Sequence, residues 1–401
     1  MTNPDCFIIH YAEVALKGKN RPFFENTLTD NIKQSLRREK IKSIERDRGK
    51  IVIWTDPFSE IEKIKEKLNN VVGIAYFSAA FCFDLKKGNS GVNDVIDSAA
   101  DKISDYYKGR QIESFRVVTK RSDKSFKLNS MQVSALLGAA LSKKLPAKVD
   151  LKNPEVSFFV EIDNYFVFIY FQKHYGYGGL PVGSSGRVVS LLSSGLDSAV
   201  ASFLMVKRGC SPVYVHFHSY PQTTLQSKEN VEKLVKKISK HQLQSVLYFV
   251  SLLKIQKEII MLAPQDYAVL LYRRSMIRIA CEIAKKEKAL ALVTGESVGQ
   301  VASQTIENIY VTDAASSLPI LRPLAGSNKE EIIEIAKKIG TYDISSLPYE
   351  DCCTLFVPKH PKTKADIGSV EIIEKKILHL KQMETEATEG AEIKKIIFGE
   401  D

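Results

Sequence analysis

The sequence predicts a mixed α/β and α+β chain, with a doubly wound parallel sheet in its C-terminal half and smaller α+β structure in front of it. Three observations carry this reading. Beyond residue 187, short apolar runs alternate with segments of helical spacing, the order that builds a parallel sheet with helices on both faces. Before residue 82, strand, helix, strand, helix and strand follow one another in a short length, which suits a ferredoxin-like unit. Between the halves, Gly176-Tyr-Gly-Gly-Leu-Pro-Val-Gly-Ser-Ser-Gly186 has the composition of a connector, with the lining of a ligand pocket as its other use. At 401 residues the chain exceeds one ordinary core, and 1–75, 76–175 and 176–401 are the expected domains.

Residues 7–11 read as a strand, followed by a helix from Pro22 that carries Phe24, Leu28, Ile32 and Leu36 on one face. Residues 51–54 form a second strand, 61–68 a second helix and 72–81 a further strand. His10 reads as structural, while Lys17, Lys19 and Arg21 make a basic turn that suits a solvated loop or an RNA contact equally. Next come a helix at 93–107, a strand at 114–119, a helix at 130–144, and two strands, 156–160 and 165–171, around Asp163-Asn164. Lys120, Arg121, Lys124, Phe126 and Lys127 place four cations and one aromatic ring in a polar loop. Cations neutralise phosphates and a ring stacks on an unpaired base, so the loop fits an RNA-binding face, against the plainer reading of a solvated basic loop.

Lys plus Arg number 57 against 47 Asp plus Glu, a net charge of +10 that suits a polyanionic partner such as RNA. Six cysteines without a C-x-x-C pair argue against a disulfide framework, a zinc site or an iron–sulfur cluster. Cys6, Cys82, Cys210 and Cys281 lie in apolar surroundings and read as core thiols, whereas Cys352 and Cys353 stand apart. The most apolar long stretch, 156–171, contains Glu161 and Asp163, and the first twenty residues hold no apolar signal core. The expectation is a cytoplasmic protein with no membrane span.

The chemistry centres on the stretch from Arg187 to Gly209. Val188 to Leu192 reads as a buried strand, Ser193 to Ser198 as a small-residue turn, and the residues from Ala199 as a helix. Small residues let backbone approach a ligand, and the first amides of a helix have no internal partner and point at whatever anion sits there. Ser193, Ser194 and Ser198 add hydroxyls, and Asp197 is a carboxylate suited to magnesium. No Gly-Lys-Ser/Thr follows, which excludes a Walker loop. Ser193-Ser-Gly-Leu-Asp-Ser198 resembles instead the PP-loop, Ser-Gly-Gly-x-Asp-Ser, of ATP pyrophosphatases, which cleave ATP between its α and β phosphates. Ser194 stands where that family has glycine, so a left-handed backbone there would carry a cost. Further strands at 213–217, 245–250 and 289–294 alternate with helices at 228–240, 267–285 and 329–340. The ends of two of these strands, His216-Phe-His218-Ser219 and Thr294-Gly-Glu-Ser-Val-Gly299, should line the same crevice. His216 and His218 are expected to face opposite sides of their strand, leaving one for the pocket.

Val293-Thr-Gly-Glu-Ser-Val-Gly-Gln-Val-Ala-Ser-Gln-Thr-Ile-Glu-Asn308 closely resembles the tRNA 4-thiouridine synthetase (ThiI) family. So do Tyr11-Ala-Glu-Val-Ala-Leu-Lys-Gly-Lys-Asn20, Gly178-Gly-Leu-Pro-Val-Gly183, Val215-His-Phe-His-Ser219 and Tyr349-Glu-Asp-Cys-Cys353, in the family's order and across essentially the whole chain. The resemblance implies a ferredoxin-like domain, a THUMP domain that binds the acceptor end of tRNA, and a PP-loop adenylation domain. It implies ATP-dependent activation of O4 of uridine 8, release of pyrophosphate, and displacement of AMP by sulfur that a cysteine desulfurase supplies. Some members also serve thiazole synthesis for thiamine. The oligomeric state stays open, a homodimer being one option.

Carried over by position, Leu191, Leu192, His216, Phe217, Arg273, Gly295 and Gln304 look like ATP contacts. Ser193, Ser194, Gly195 and Ser198 look like the pyrophosphate cradle, and Asp197 like the Mg2+ ligand. Arg274 is as basic as its neighbour Arg273, and for either the plain reading is a helix surface. Cys352 matches the family's sulfur-handling cysteine, with two structural thiols as the bland alternative. Some members use a second cysteine in a rhodanese domain, for which the roughly fifty residues after Cys352 are expected to be too few. Two other readings compete: a PP-loop enzyme that activates a small carbonyl compound, and a tRNA-binding protein with a degenerate PP-loop.

Overall fold

The computed structural model describes residues 3–47, 49–85, 92–122, 126–163, 165–347 and 361–398. The chain divides into two compact units, 1–178 and 179–401. The first holds β1 (Cys6–Tyr11), α1 (Arg21–Ser35), β2 (Ile41–Asp47), β3 (Lys50–Thr55), α2 (Ile61–Asn70) and β4 (Ile74–Asp84). It continues with α3 (Val92–Tyr107), β5 (Ser114–Arg121), α4 (Ser130–Ser142), β6 (Lys148–Val149), β7 (Val156–Ile162), β8 (Phe166–Tyr170) and β9 (His174–Tyr175). One sheet takes all nine strands, in the order β2-β3-β1-β4-β8-β7-β5-β6 with β9 on β4.

β4 is the strand that makes this sheet continuous. Its first part pairs with β1 and its last four residues, Phe81 to Asp84, pair with β8. Residue 75 therefore lies inside a strand. Alternation along the strands sends Phe7, Ile9, Ile51 and Ile53 into a core under α1 and α2, and Phe158, Val160, Val167 and Ile169 into another under α3 and α4.

The opposite face has no helix in its apolar cluster, yet Cys6, Ile8, Val52, Ala80, Phe168 and Tyr170 on it are buried. The sheet covers that face by rolling onto itself. His10 Nε2 lies 3.0 Å from Glu161 Oε1, although β1 and β7 are three strand spacings apart, roughly 14 Å in a flat sheet. Lys50 Nζ similarly reaches Asp163 Oδ2 at 2.7 Å. These polar groups close the roll in pairs, as burial requires.

The second unit contains β10 (Arg187–Leu191), α5 (Leu196–Lys207), β11 (Ser211–His218), α6 (Gln226–Gln242), β12 (Gln244–Ser251), α7 (Leu253–Leu262) and α8 (Ala268–Glu287). After these come β13 (Leu292–Val293), α9 (Ile306–Asp313), β14 (Ile320–Leu321), α10 (Lys329–Ile339), α11 (Tyr342–Ser345), α12 (Ile367–Lys375), α13 (Leu380–Glu389) and β15 (Glu392–Ile397). The sheet order is β14-β13-β10-β11-β12-β15. All its pairings are parallel except that of β15, which runs antiparallel along β12. The C-terminal segment thus ends in an edge strand. The chain after β10 moves first to one side, to β11, and later returns to the other, to β13. The switch point between β10 and β13 is where a doubly wound sheet opens a crevice.

The connector closes the far end of α5 and does not line that crevice. Leu180 N–H donates to Lys207 O at 3.0 Å, and Gly183 and Ser185 N–H both donate to Gly209 O. A Cβ on Gly179, at φ +78°, would lie 2.1 Å from Lys207 O. These contacts sit at the C-terminus of a 12-residue helix, roughly 18 Å from its first turn.

Candidate functional site

β10 ends in the hexad, and α5 starts inside it. Gly195 is the N-cap, with extended backbone (φ −78°, ψ 161°), and, having no side chain, it leaves the first-turn amides without a side-chain cap of its own. Hydroxyls hold the turn in shape. Ser198 Oγ accepts from Ser193 N–H at 3.1 Å and lies 3.1 Å from Ser193 Oγ, which accepts from Gly195 N–H at 3.2 Å. Ser194 is 1% exposed, and its φ is not positive. The cost expected from a left-handed serine at this position is therefore absent.

Asp197, in the first turn of α5, receives two partners from distant sequence. Lys329 Nζ, at the start of α10, lies 2.6 Å from Oδ1, and Gln300 Nε2 donates to Oδ2 at 3.0 Å. Neither residue is singled out by sequence reasoning. The one signal available for Gln300 is its place in the Thr294 to Asn308 motif.

The segment after β13 packs directly on this turn. A Cβ on Gly295 would fall 2.6 Å from Ser198 N and 2.7 Å from Asp197 C, all backbone. The close approach that requires glycine is thus to α5 itself. Gln304 Oε1 is buried without a hydrogen-bond partner among the described residues. Arg273, from α8, pairs with the Glu296 carboxylate and donates to Ser303 Oγ at 3.0 Å.

Arg274 differs sharply from its neighbour. It is 3% exposed and grips Glu374 of α12 through Nε (3.0 Å) and Nη2 (2.9 Å), with Nη1 donating to Val311 O. Burial would raise the Glu374 carboxyl, but the Arg274 hydrogen bond and the charges of Arg278 and Arg274 hold it below its ordinary value. Arg274→Ala leaves this buried carboxylate with Arg278 alone, and urea unfolding should report a loss of about 3–5 kcal/mol.

At the end of β11, His216 is 4% exposed, with Nδ1 2.9 Å from Leu192 O and Nε2 3.4 Å from Ser227 Oγ of α6. His218 does not face away from it: residues two apart on a strand share a face. The Phe217 ring sits in the core with Val215, Leu271 and Tyr272, and Leu191 packs against that cluster, while Leu192 is buried separately. What these positions offer a ligand at the strand ends is backbone. Burial, followed by the charges of Lys228 and His216, pushes the His218 imidazole down to about 4. An unfolded histidine takes up its proton near pH 6.5, so stability is complete above that value and declines as pH falls toward 4. His218→Asn should flatten this part of the profile, measured as Tm at about pH 7.5 and 5.

In the first unit, the predicted RNA-binding loop divides. Lys120 and Lys127 are exposed. Arg121 instead donates through Nη1 to Phe126 O (2.9 Å) and Leu128 O (2.7 Å), and the Phe126 ring packs against the α3/α4 core. Phe126 is half-buried against that core, and Arg121 secures the loop's backbone. A groove of about 710 Å³ between β5 and α4 lies nearby, lined by Arg116, Val118, Met131, Ser134, Val149 and Leu151. Met131 and Leu151 are 80% and 71% exposed on its rim. Lys124, Cys352 and Cys353 lie outside the described residues.

The family model described as Thiamine biosynthesis protein (ThiI) matches residues 183–379, the ThiI ferredoxin-like domain matches 6–78, and the THUMP domain matches 89–172. A Thermoanaerobacter pseudethanolicus protein named probable tRNA sulfurtransferase is 43% identical over 390 residues, 97% of this chain and 100% of its own. A Thermus thermophilus protein of the same name is 40% identical over 362 residues, 90% and 86% of the two chains. The crystal structure of a 4-thiouridine synthetase–RNA complex with bound ATP matches at a TM-score of 0.86 and 35% identity, over 98% of this chain and 100% of that one. A Pyrococcus horikoshii structure matches at 0.64 and 22% identity, covering 84% and 99%, a likeness of fold.

Proposed function

This chain belongs to the ThiI family of tRNA sulfurtransferases, and on that premise we propose that it converts uridine 8 of tRNA to 4-thiouridine at the β10/β13 switch point. The uridine O4 attacks the α-phosphate of ATP and pyrophosphate leaves. Hydrosulfide, or the outer sulfur of a Cys352 persulfide whose S–S bond an external thiol then reduces, attacks C4, and AMP departs with the oxygen. The observation that carries the reading is the hexad itself: uncapped first-turn amides of α5, with Asp197 held between Lys329 and Gln300. Fixed donors aimed at a leaving diphosphate stabilise the charge that develops on it.

Mg2+ fits this site as a passenger of the nucleotide. Among the described residues no group of three or more His, Cys, Asp or Glu could hold an ion unaided. One carboxylate together with substrate phosphates is nonetheless an ordinary magnesium donor set, and Asp197 would supply it. When bound, the ion neutralises phosphate charge. Ser193, Ser194, Gly195 and Ser198 cradle the pyrophosphate, and Gln304 and the backbone of Leu191, Leu192, His216 and Phe217 hold the nucleoside.

The tRNA meets the first unit at the β5/α4 groove, where apolar rim residues take unpaired acceptor-end bases and Lys120 and Lys127 meet phosphate. Cys352 handles sulfur delivered by a cysteine desulfurase, in the cytoplasm, and thiazole synthesis for thiamine is a second use of the same sulfur. No described helix is long and apolar enough to cross a membrane. The test is reconstitution: purified protein with unmodified tRNA, ATP, Mg2+ and a sulfide source should generate the near-ultraviolet absorbance of thiouridine and release pyrophosphate. Cys352→Ser serves as the parallel sample for persulfide delivery. Pyrophosphate release without tRNA, driven by a small carbonyl compound, would overturn the assignment.

A further inference from the structure

Glu296 is used nowhere in the mechanism above, yet it occupies a costly position. Its side chain is 6% exposed and ion-paired to Arg273 of α8 and to Arg322, just past β14, at 2.7 Å from Arg322 Nε. It also accepts the Thr294 hydroxyl at 2.8 Å. Arg322 in turn grips Asp313 at the end of α9, with Nη1 2.9 Å from Oδ2. Two arginines, one from α8 and one from just past β14, thus converge on one carboxylate. Buried ion clusters of this kind contribute little net stability over well-packed apolar residues, so stability alone gives no reason for it.

Its place in the chain gives one. Glu296 follows Gly295, which packs on the backbone of Asp197 and Ser198. Four residues later Gln300 reaches Asp197, and Gln304 then brings an acceptor that has no partner among the described residues. Arg273 binds this segment twice, at Glu296 and at Ser303 Oγ. Without Glu296, Arg273 loses its ion-pair partner, and segment 294–304 keeps only the Ser303 contact to Arg273 and loses its tie to Arg322.

We infer that Glu296 is a positioning residue for ATP: it fixes Arg273, and through Arg273 the 294–304 backbone, so that the arginine meets the nucleotide at the switch point. The inference rests on the ATP reading above. It acts through Arg273, so the two residues form one energetic unit. Groups coupled in this way show non-additive substitution effects, whereas independent ones add.

A double-mutant cycle with Glu296→Gln and Arg273→Met, read as Kd for ATP by calorimetry, tests it. Each single variant should weaken ATP binding about tenfold, and the double variant should be no weaker than either. Glu296→Asp, which keeps the charge, should recover part of the loss, and Kd for tRNA should stay at the wild-type value. Additive losses would overturn the inference, as would Glu296→Gln binding ATP within twofold of wild type while its Tm falls. If Glu296→Gln does not fold, Arg322→Gln loosens the same carboxylate from its other side and carries the same expectations. Failure of the wild-type protein to bind ATP would sink the ATP reading itself, an outcome distinct from additivity.

Discussion

Asp197→Ala should lower pyrophosphate release and thiolation by about a thousandfold or more while tRNA binding stays intact, since it removes the carboxylate proposed to serve the departing diphosphate. The substitution also leaves Lys329 and Gln300 without the oxygens they hold at 2.6 and 3.0 Å. Asp197→Asn separates the two effects. It keeps a hydrogen-bond acceptor for Gln300 but lacks the charge needed by Lys329 and by magnesium, and should be nearly as inactive. Pyrophosphate release assayed with tRNA, next to a tRNA-binding salt series, reads both quantities. Wild-type turnover in Asp197→Ala would refute the phosphate-loop mechanism.

Gly295→Ala should be almost as damaging, although it adds only one methyl group. The atoms that methyl would meet, Ser198 N, Asp197 C and Ser198 Cα at 2.6–2.7 Å, are backbone of the α5 first turn and cannot rotate aside. Either the first turn or segment 294–304 must move, and a misplacement near 1 Å costs about a hundredfold in rate. We expect kcat to fall by about that factor, with a Tm decrease from overpacking. Activity within a few fold of wild type would mean that the two segments are less closely coupled than their packing implies.

Local signals were legible in the sequence because they depend on neighbours. The apolar run of β10, the small-residue turn and the helical spacing of α5 all fall within about two dozen residues, and the β–α alternation beyond them announces the sheet. Charged strands were not legible. β2 reads Ile-Lys-Ser-Ile-Glu-Arg-Asp and β15 reads Glu-Ile-Lys-Lys-Ile-Ile; both lie at sheet edges, where one side needs little apolar pattern. The partners of Asp197 arrive from 132 and 103 residues away, a distance over which no spacing rule operates. Composition also did not foretell the packing of Arg121 and Phe126, because a polar loop does not reveal which of its side chains turns inward to hold backbone or rest on a core. Arg273 and Arg274 are equally basic as letters, and only helix phase separates the buried tie to α12 from the arm that reaches Glu296 and Ser303.

The eleven residues of β4 have a practical corollary for anyone dissecting the first 178. Because its two ends serve as the zipper for different neighbours, scission near 75 or 80 would hand each fragment a row of raw peptide groups and split a shared apolar lining. Isolated pieces should precipitate or pair with the wrong chains. The N-terminal unit is therefore best expressed, and by the same logic inherited, whole.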